Sequence, residues 1–423
     1  MRKTITTVWP LFFGLALIAI STGVQNSLLG IRADLEGFDT AFTGLIMSGY
    51  FIGFLFGSTQ GPRIIQQVGH VRTFGALTAL ASITVLLHAL FVHPWLWFLL
   101  RLLTGLAISG LYVVAESWLN QAATDRNRGQ ILSFYMIIML LGMFAGQFLL
   151  NLADPSSFEL FGTISVLMSF AAIPILITVI PTPTIEPSSS IGIRKLLGWA
   201  PYGLPGAFLV NMCFGMIFGM AAVYASKIQL STREISWFMA AILFGGLVLQ
   251  WPLGRLSDKL DRRIVIVGAS AAAGLFALLA ATRGQETLGQ LLLYVALLGG
   301  FLLPLYALFV ALVNDYMRPE KIVAASGTVL LVGGLGAAIG PLLIAWVMDV
   351  FGTNGFFWFI GAVCGCVAAL GLVRIIFFPY VPEEDRHEFS IYAPATVGTV
   401  LHAEQPETSD TKAKEQTLEA PFE

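Results

Sequence analysis

Arg101 and Glu116 are the two ionisable residues set well inside an apolar stretch, and both lie in the same one. Charge placed within a bilayer costs at least ~2.5 kcal/mol per residue on insertion scales, so such groups usually face a cavity and act there. At 100° per residue, Arg101, Gly105, Ile108, Tyr112 and Glu116 fall within roughly 80° of one another on the helical wheel, a face expected to border a central cavity. Two roles are open to each charge. Arg101, about 10 Å along the helix from its Pro94 end, either reaches the cavity or snorkels to the surface. Glu116, near the other end, either pairs with Arg126 or Arg128 in a gate or carries a proton or contacts substrate.

Neutral polar side chains complete the candidate inventory. Gln25 and Asn26 lie in the first apolar stretch, Tyr135 and Gln147 in the fifth, Asn211 and Tyr224 in the seventh, Gln250 and Trp251 in the eighth, and Tyr306 and Asn314 in the tenth. With Arg101 and Tyr112 they suit an uncharged or weakly charged organic solute held by hydrogen bonds and stacking, such as a flavin-like heteroaromatic or a sugar. Each equally suits a bond between helices. No GxxxxGK[ST] run is present for ATP, and no HExxH or other metal-ligand spacing. Cys364 and Cys366, two apart, belong to different faces of a helix. An enzyme, a cofactor, a metal and a nucleic-acid partner are not expected.

The elements that position these residues follow from hydropathy. Hydrophobic residues are 57% of the chain and charged residues 11%, a balance that fits lipid as the main solvent. Windows of about 20 residues predict spans at 8–31, 42–61, 73–92, 95–119, 131–152, 159–180, 202–226, 235–256, 264–282, 289–313, 322–345 and 354–378. Continuous rather than alternating apolar runs make these helices, not barrel strands. The first is too long for a signal peptide's apolar core. With the N-terminus inside, 18 basic residues fall on the cytoplasmic side and 4 opposite, so both termini are expected in the cytoplasm and the chain in the cell inner membrane, as a monomer.

Pro and Ser in PTPTIEPSSSIGIRKLLG mark a linker at 181–201 between six-span units at 1–180 and 202–379. Asn120, Gly142 and Gly146 match Asn314, Gly336 and Gly340 at an offset of 194, and Gly57 matches Gly254 at 197. Residues 380–423 hold 10 of the 25 acids and three basic residues, the composition of a disordered acidic tail. The expected fold is therefore all-α and polytopic, 12 transmembrane helices in two pseudo-symmetric six-helix bundles.

GRLSDKLDRR (Gly254–Arg263) resembles the cytoplasmic signature of the major facilitator superfamily: Gly, an acid four residues on, then a basic cluster. That resemblance implies that Asp258 caps a turn or pairs with Arg262, beside Arg263, to close an inner gate when the halves meet. In the first half Gly61 stands where the acid belongs, leaving a second lock without its carboxylate. ESWLN (Glu116–Asn120), Arg128 with Gly129, and QWPLGRLSD (Gln250–Asp258) resemble the YcaD-like branch of that superfamily. The resemblance further implies that spans two and eleven, and five and eight, meet across the seam. The stripe Gly49, Gly53, Gly57, with Gly142, Gly146, Gly245, Gly246, Gly333, Gly334, Gly336 and Gly340, then serves either rocking at that seam or static packing.

The expected function is secondary transport of a small organic solute by alternating access, in the direction of uptake, with a coupling proton as an option. Proton-coupled efflux of amphipathic compounds is the alternative, and a non-transporting receptor or scaffold the second.

Overall fold

The computed structural model describes residues 2–123, 128–177, 191–284 and 286–377. The first ten residues of the linker, Arg126, the Arg128 side chain and the acidic tail lie outside the described residues. Each predicted span is helical: α1 (Arg2–Leu35), α2 (Thr40–Val68), α3 (His70–Leu90), α4 (Pro94–Ala122), α5 (Arg128–Leu149) and α6 (Glu159–Ile177) form the first half. After the short α7 (Ile193–Trp199) come α8 (Gly203–Lys227), α9 (Thr232–Lys259), α10 (Arg262–Arg283), α11 (Leu288–Leu302), α12 (Leu305–Asp315), α13 (Pro319–Phe351) and α14 (Gly355–Phe377). In lipid an isolated apolar run has no other choice, because a helix satisfies every backbone N–H and C=O within the segment.

Local chemistry sets the ends. Ser231 and Glu234 form a reciprocal capping box at the start of α9, and Asp261 accepts from the Arg263 backbone to cap α10. Gly69, at φ 90°, turns the chain between α2 and α3 in one residue, a conformation that strains any L side chain. Two expectations are corrected. The tenth span is not one helix: it breaks at Leu303–Pro304, because Pro304 has no N–H to give the ladder. The stretch Gly254–Arg263 is mostly helix rather than loop, and the residue that caps the following helix is Asp261, not Asp258.

The sequence repeat is a repeat of packing. In the first half α1 packs on α5, α2 on α4 and α3 on α6; in the second the equivalent helices pair in the same order, α8 on α13, α9 on α11 and α10 on α14. Gly142 and Gly146 let α5 approach the backbone of α1 at Ala16 and Ile20, and Gly336 and Gly340 let α13 approach α8 at Phe208 and Met212. Most of the glycine stripe is thus static packing within a half. Gly49, Gly53 and Gly57 lie against Phe98, Leu102 and Leu106 of α4, and Gly245 against Ala296 of α11. At the seam itself lie Gly334, one of the glycines named from the sequence, against Leu55, and Gly44, which was not named, against Pro341 and Ala345.

Twelve spans place the start of α1, α7 and the end of α14 at one end of the bundle, here the near end. Across the seam α2 meets α13, α5 meets α9, and α1 meets α8. The contacts cluster at the far end. Asp34 accepts from Ser226 at 2.5 Å and lies 3.7 Å from Lys227 Nζ, Asn151 reaches Ser236 at 3.1 Å, and Phe148 packs edge-on to Trp237 at 4.9 Å. Ser48 donates to the Ala338 carbonyl at 2.6 Å near mid-depth. Toward the near end the same α5 and α9 stripes emerge as exposed Ile137, Phe134 and Trp251.

Candidate functional site

A chamber of about 420 Å³, open mouth included, begins on the near side of the Ser48–Ala338 contact. Three helices of both halves wall it: Tyr50, Phe51, Phe54, Leu55 and Ser58 of α2, Phe214 of α8, and Leu330, Gly334 and Ala337 of α13. Its rings touch one another, Tyr50 edge-on to Phe51 at 5.3 Å and tilted to Phe54 at 6.1 Å. Phe214 lies tilted against Phe218 at 4.3 Å. Gly334 lacks a Cβ where the Leu55 side chain crosses the seam, which lets the halves close at that level.

The polar system of the first half lies behind this wall. Arg101 is buried, its Nη1 donates to Asn26 Oδ1 at 3.1 Å, and its guanidinium lies 4.5 Å over the Tyr50 ring. Its Nε has no hydrogen-bond partner, and among the described residues no carboxylate forms an ion pair with it. Snorkelling is therefore not what Arg101 does: the head group points into protein, one ring from the chamber. Gln25, beside Asn26, is buried with its Nε2 unbonded. Further along α4, Tyr112 meets Phe54 at 6.1 Å, and Glu116, fully buried, accepts from Tyr135 Oη at 3.1 Å. The predicted α4 face is thus real as a buried polar strip, but it stands one layer back, and the chamber wall itself is α2, α8 and α13.

Other predicted residues divide by what occupies them. Gln147 accepts from Ser27 at 2.7 Å and donates to the Gly23 carbonyl at 3.0 Å, so its amide ties α5 to α1. Asn211 donates to the Ala207 carbonyl at 2.9 Å and abuts Gly333, where Tyr306 also packs. Gln250 is buried, whereas Trp251 is 58% exposed and carries Arg255 over its ring at 3.9 Å. Tyr224 is sealed among Phe238, Phe356 and Phe357, and Asn314 accepts from Ser326. Cys364 is buried and Cys366 exposed, on the different faces their spacing requires.

At the near end of the second half, Asp258 does meet Arg262, at 3.2 Å, but the closer partner is Asp315, whose two carboxylate oxygens each accept from Arg262 Nη1 at 2.8 Å. Arg262 and Asp315 side chains are 2% and 4% exposed against 38% for Asp258. Arg263 pairs with Asp261 at 2.8 Å. At the equivalent corner of the first half His70, the first residue of α3 as Arg262 is of α10, bonds Ser117 at 3.0 Å and tilts on Trp118 at 5.4 Å.

Sequence reasoning missed Asp315 and the chamber rings. The signal for the rings was Tyr50-Phe51-Ile52-Gly53-Phe54 in a span assigned to the seam; Asp315 stood just beyond the tenth apolar run, next to Asn314.

A six-plus-six bundle with a chamber between its halves defines a transporter-type membrane fold. The model of the Major Facilitator Superfamily matches residues 11–224 and again 203–403, and the chain belongs to that superfamily. An uncharacterized MFS-type transporter of Yersinia enterocolitica is 28% identical over 390 residues, 90% of this chain and 97% of its own. The uncharacterized MFS-type transporter YcaD of Escherichia fergusonii is 26% identical over 358 residues, 84% of this chain and 92% of its own. In structure, a mutant of the nucleoside transporter NupG superposes with a TM-score of 0.73 at 13% identity, covering 87% of this chain and 99% of that one. At that identity the likeness concerns the fold.

Proposed function

We propose that this superfamily member is a secondary transporter that carries a small planar or aromatic organic solute into the cell by alternating access in the inner membrane. The observation that carries the proposal is the ring-lined chamber between α2, α8 and α13, sealed on its far side by contacts between the halves. Offset or edge-on contact with Tyr50, Phe54 and Phe214 would hold a flat ring system, each contact adding about 0.5–1.5 kcal/mol beyond burial. The basic-residue asymmetry supports a cytoplasmic near end, and with it an inward-facing stage for the chamber. Release to the far side requires separating Asp34 from Ser226 and Lys227, and Ser48 from Ala338.

The apolar lining also favours one second reading, efflux of amphipathic compounds. Direction separates the two, and proton coupling through Glu116 is compatible with either.

A thermal-shift screen of purified chain against flavins, nucleosides and sugars tests the proposal, because a ligand of the folded state alone raises apparent stability. Planar heteroaromatics should stabilise the wild type and lose that effect in Phe214→Ala. Stabilisation by sugars alone, undiminished in Phe214→Ala, would overturn the aromatic assignment. Right-side-out vesicles that expel the hit rather than accumulate it would establish the efflux reading.

A further inference from the structure

At the near end of the second half two lysines from distant parts of the chain converge on one indole. Lys195 of α7 lies 5.1 Å from the Trp199 ring centroid and Lys321 of α13 lies 4.9 Å from it. Both ammonium groups are within cation–π range, but two like charges on one ring repel. Neither forms an ion pair with a carboxylate among the described residues, and Arg194 and Arg318, also exposed, add to the positive field. The arrangement is held in place: Thr328 Oγ1 of α13 donates to the Ile191 carbonyl just before α7 at 2.7 Å, and Leu196 is buried. It is a built concentration of cations.

The rest of α7 says what kind of anion. Ile193 and Leu197 are 51% and 41% exposed, and at 100° per residue they share one edge, roughly 160° from Lys195. Apolar residues on one edge, cations on the other and a tryptophan at the bundle's end form the pattern of a segment lying in a membrane interface. A soluble phosphate would have no use for the apolar edge. We infer that Lys195, Lys321 and Trp199 form a binding site for the headgroup phosphate of an anionic phospholipid, while Ile193 and Leu197 seat the opposite edge of α7 in the apolar part of the membrane interface. The lipid would bridge α7 to α13, a helix that faces α2 across the seam.

Native mass spectrometry of the purified full chain, offered equal amounts of phosphatidylglycerol and phosphatidylcholine, tests the site. The wild type should retain phosphatidylglycerol in preference. K195Q/K321Q should weaken that retention by about 30-fold, the factor for neutralising two basic residues at an anionic lipid surface. K195R/K321R, which keeps both charges, should retain it as the wild type does, and so should R72Q/K259Q, which removes two exposed cations elsewhere at the near end. Equal retention of the two lipids, or a loss in R72Q/K259Q as large as in K195Q/K321Q, would overturn the site in favour of a diffuse positive surface. Displacement of the lipid by millimolar inorganic phosphate would overturn the lipid as occupant and make the cluster a soluble-anion site.

Discussion

The Arg101 guanidinium lies 4.5 Å over the ring of Tyr50, and that ring is itself part of the chamber wall. A buried cation is thus separated from the proposed solute by the thickness of one aromatic side chain. Arg101 has Asn26 as a neutral partner and no carboxylate among the described residues, a costly arrangement for a group removed from water. Replacement by a similarly shaped apolar residue should relieve that cost. We expect Arg101→Met to keep or raise the unfolding temperature in detergent while weakening solute binding. A large fall in unfolding temperature would assign Arg101 to structure rather than to the site.

Glu116 and Tyr135 form a buried polar contact of the first half, at 3.1 Å. Glu116→Gln keeps the shape and mimics the protonated acid. In proteoliposomes it should abolish accumulation driven by a pH gradient yet preserve counterflow exchange. Wild-type accumulation in the variant would remove Glu116 from coupling, and loss of exchange as well would favour a gate role.

Two glycines on α2 should respond differently to the same substitution. A Cβ at Gly53 would collide with the Leu102 carbonyl inside the first half, where neither backbone can yield cheaply. Gly53→Ala should therefore cost about 1–3 kcal/mol, read as a lower unfolding temperature. At Gly44 the Cβ would meet the Pro341 carbonyl at 2.7 Å and Ala345 at 2.5 Å, both across the seam. Gly44→Ala should leave each half intact and open the far end, seen as faster maleimide labelling of a cysteine placed at Ser226. Gly365→Ala, with nothing within 4 Å of its Cβ, is the neutral control.

The near-end cluster ranks its two acids. Removing one member of a buried ion pair costs about 3–5 kcal/mol, whereas an exposed pair is worth ~0–1 kcal/mol. Asp315→Asn should depress the unfolding temperature far more than Asp258→Asn. The latter should slow liposome flux more than it weakens ligand affinity, as expected of a gate residue. Equal thermal effects would contradict the ranking, and loss of affinity with normal turnover would contradict the gate.

Twelve helices and their breaks at most turns were legible in the chain, because lipid penalises every unsatisfied backbone group and leaves long apolar runs a single conformation, whereas the meeting of α2 with α13 was expected only from the resemblance to the superfamily. Hydropathy is a local property, so a window of about 20 residues carries it. The resemblance offered Arg262 as one partner of Asp258, and the two do meet at 3.2 Å across the break between α9 and α10. Which face of a helix meets which neighbour is not local. Gly49, Gly53 and Gly57 read equally well as a sliding seam or as packing, and only the approach of α4 made them packing. Arg101 could not be told from a snorkelling residue until Tyr50 and Asn26 were seen to enclose it. Asp315, 53 residues from Arg262, became its closest partner through the packing of α10 against α12. The chamber is a gap between halves, and a gap has no residues of its own until the helices around it are assembled.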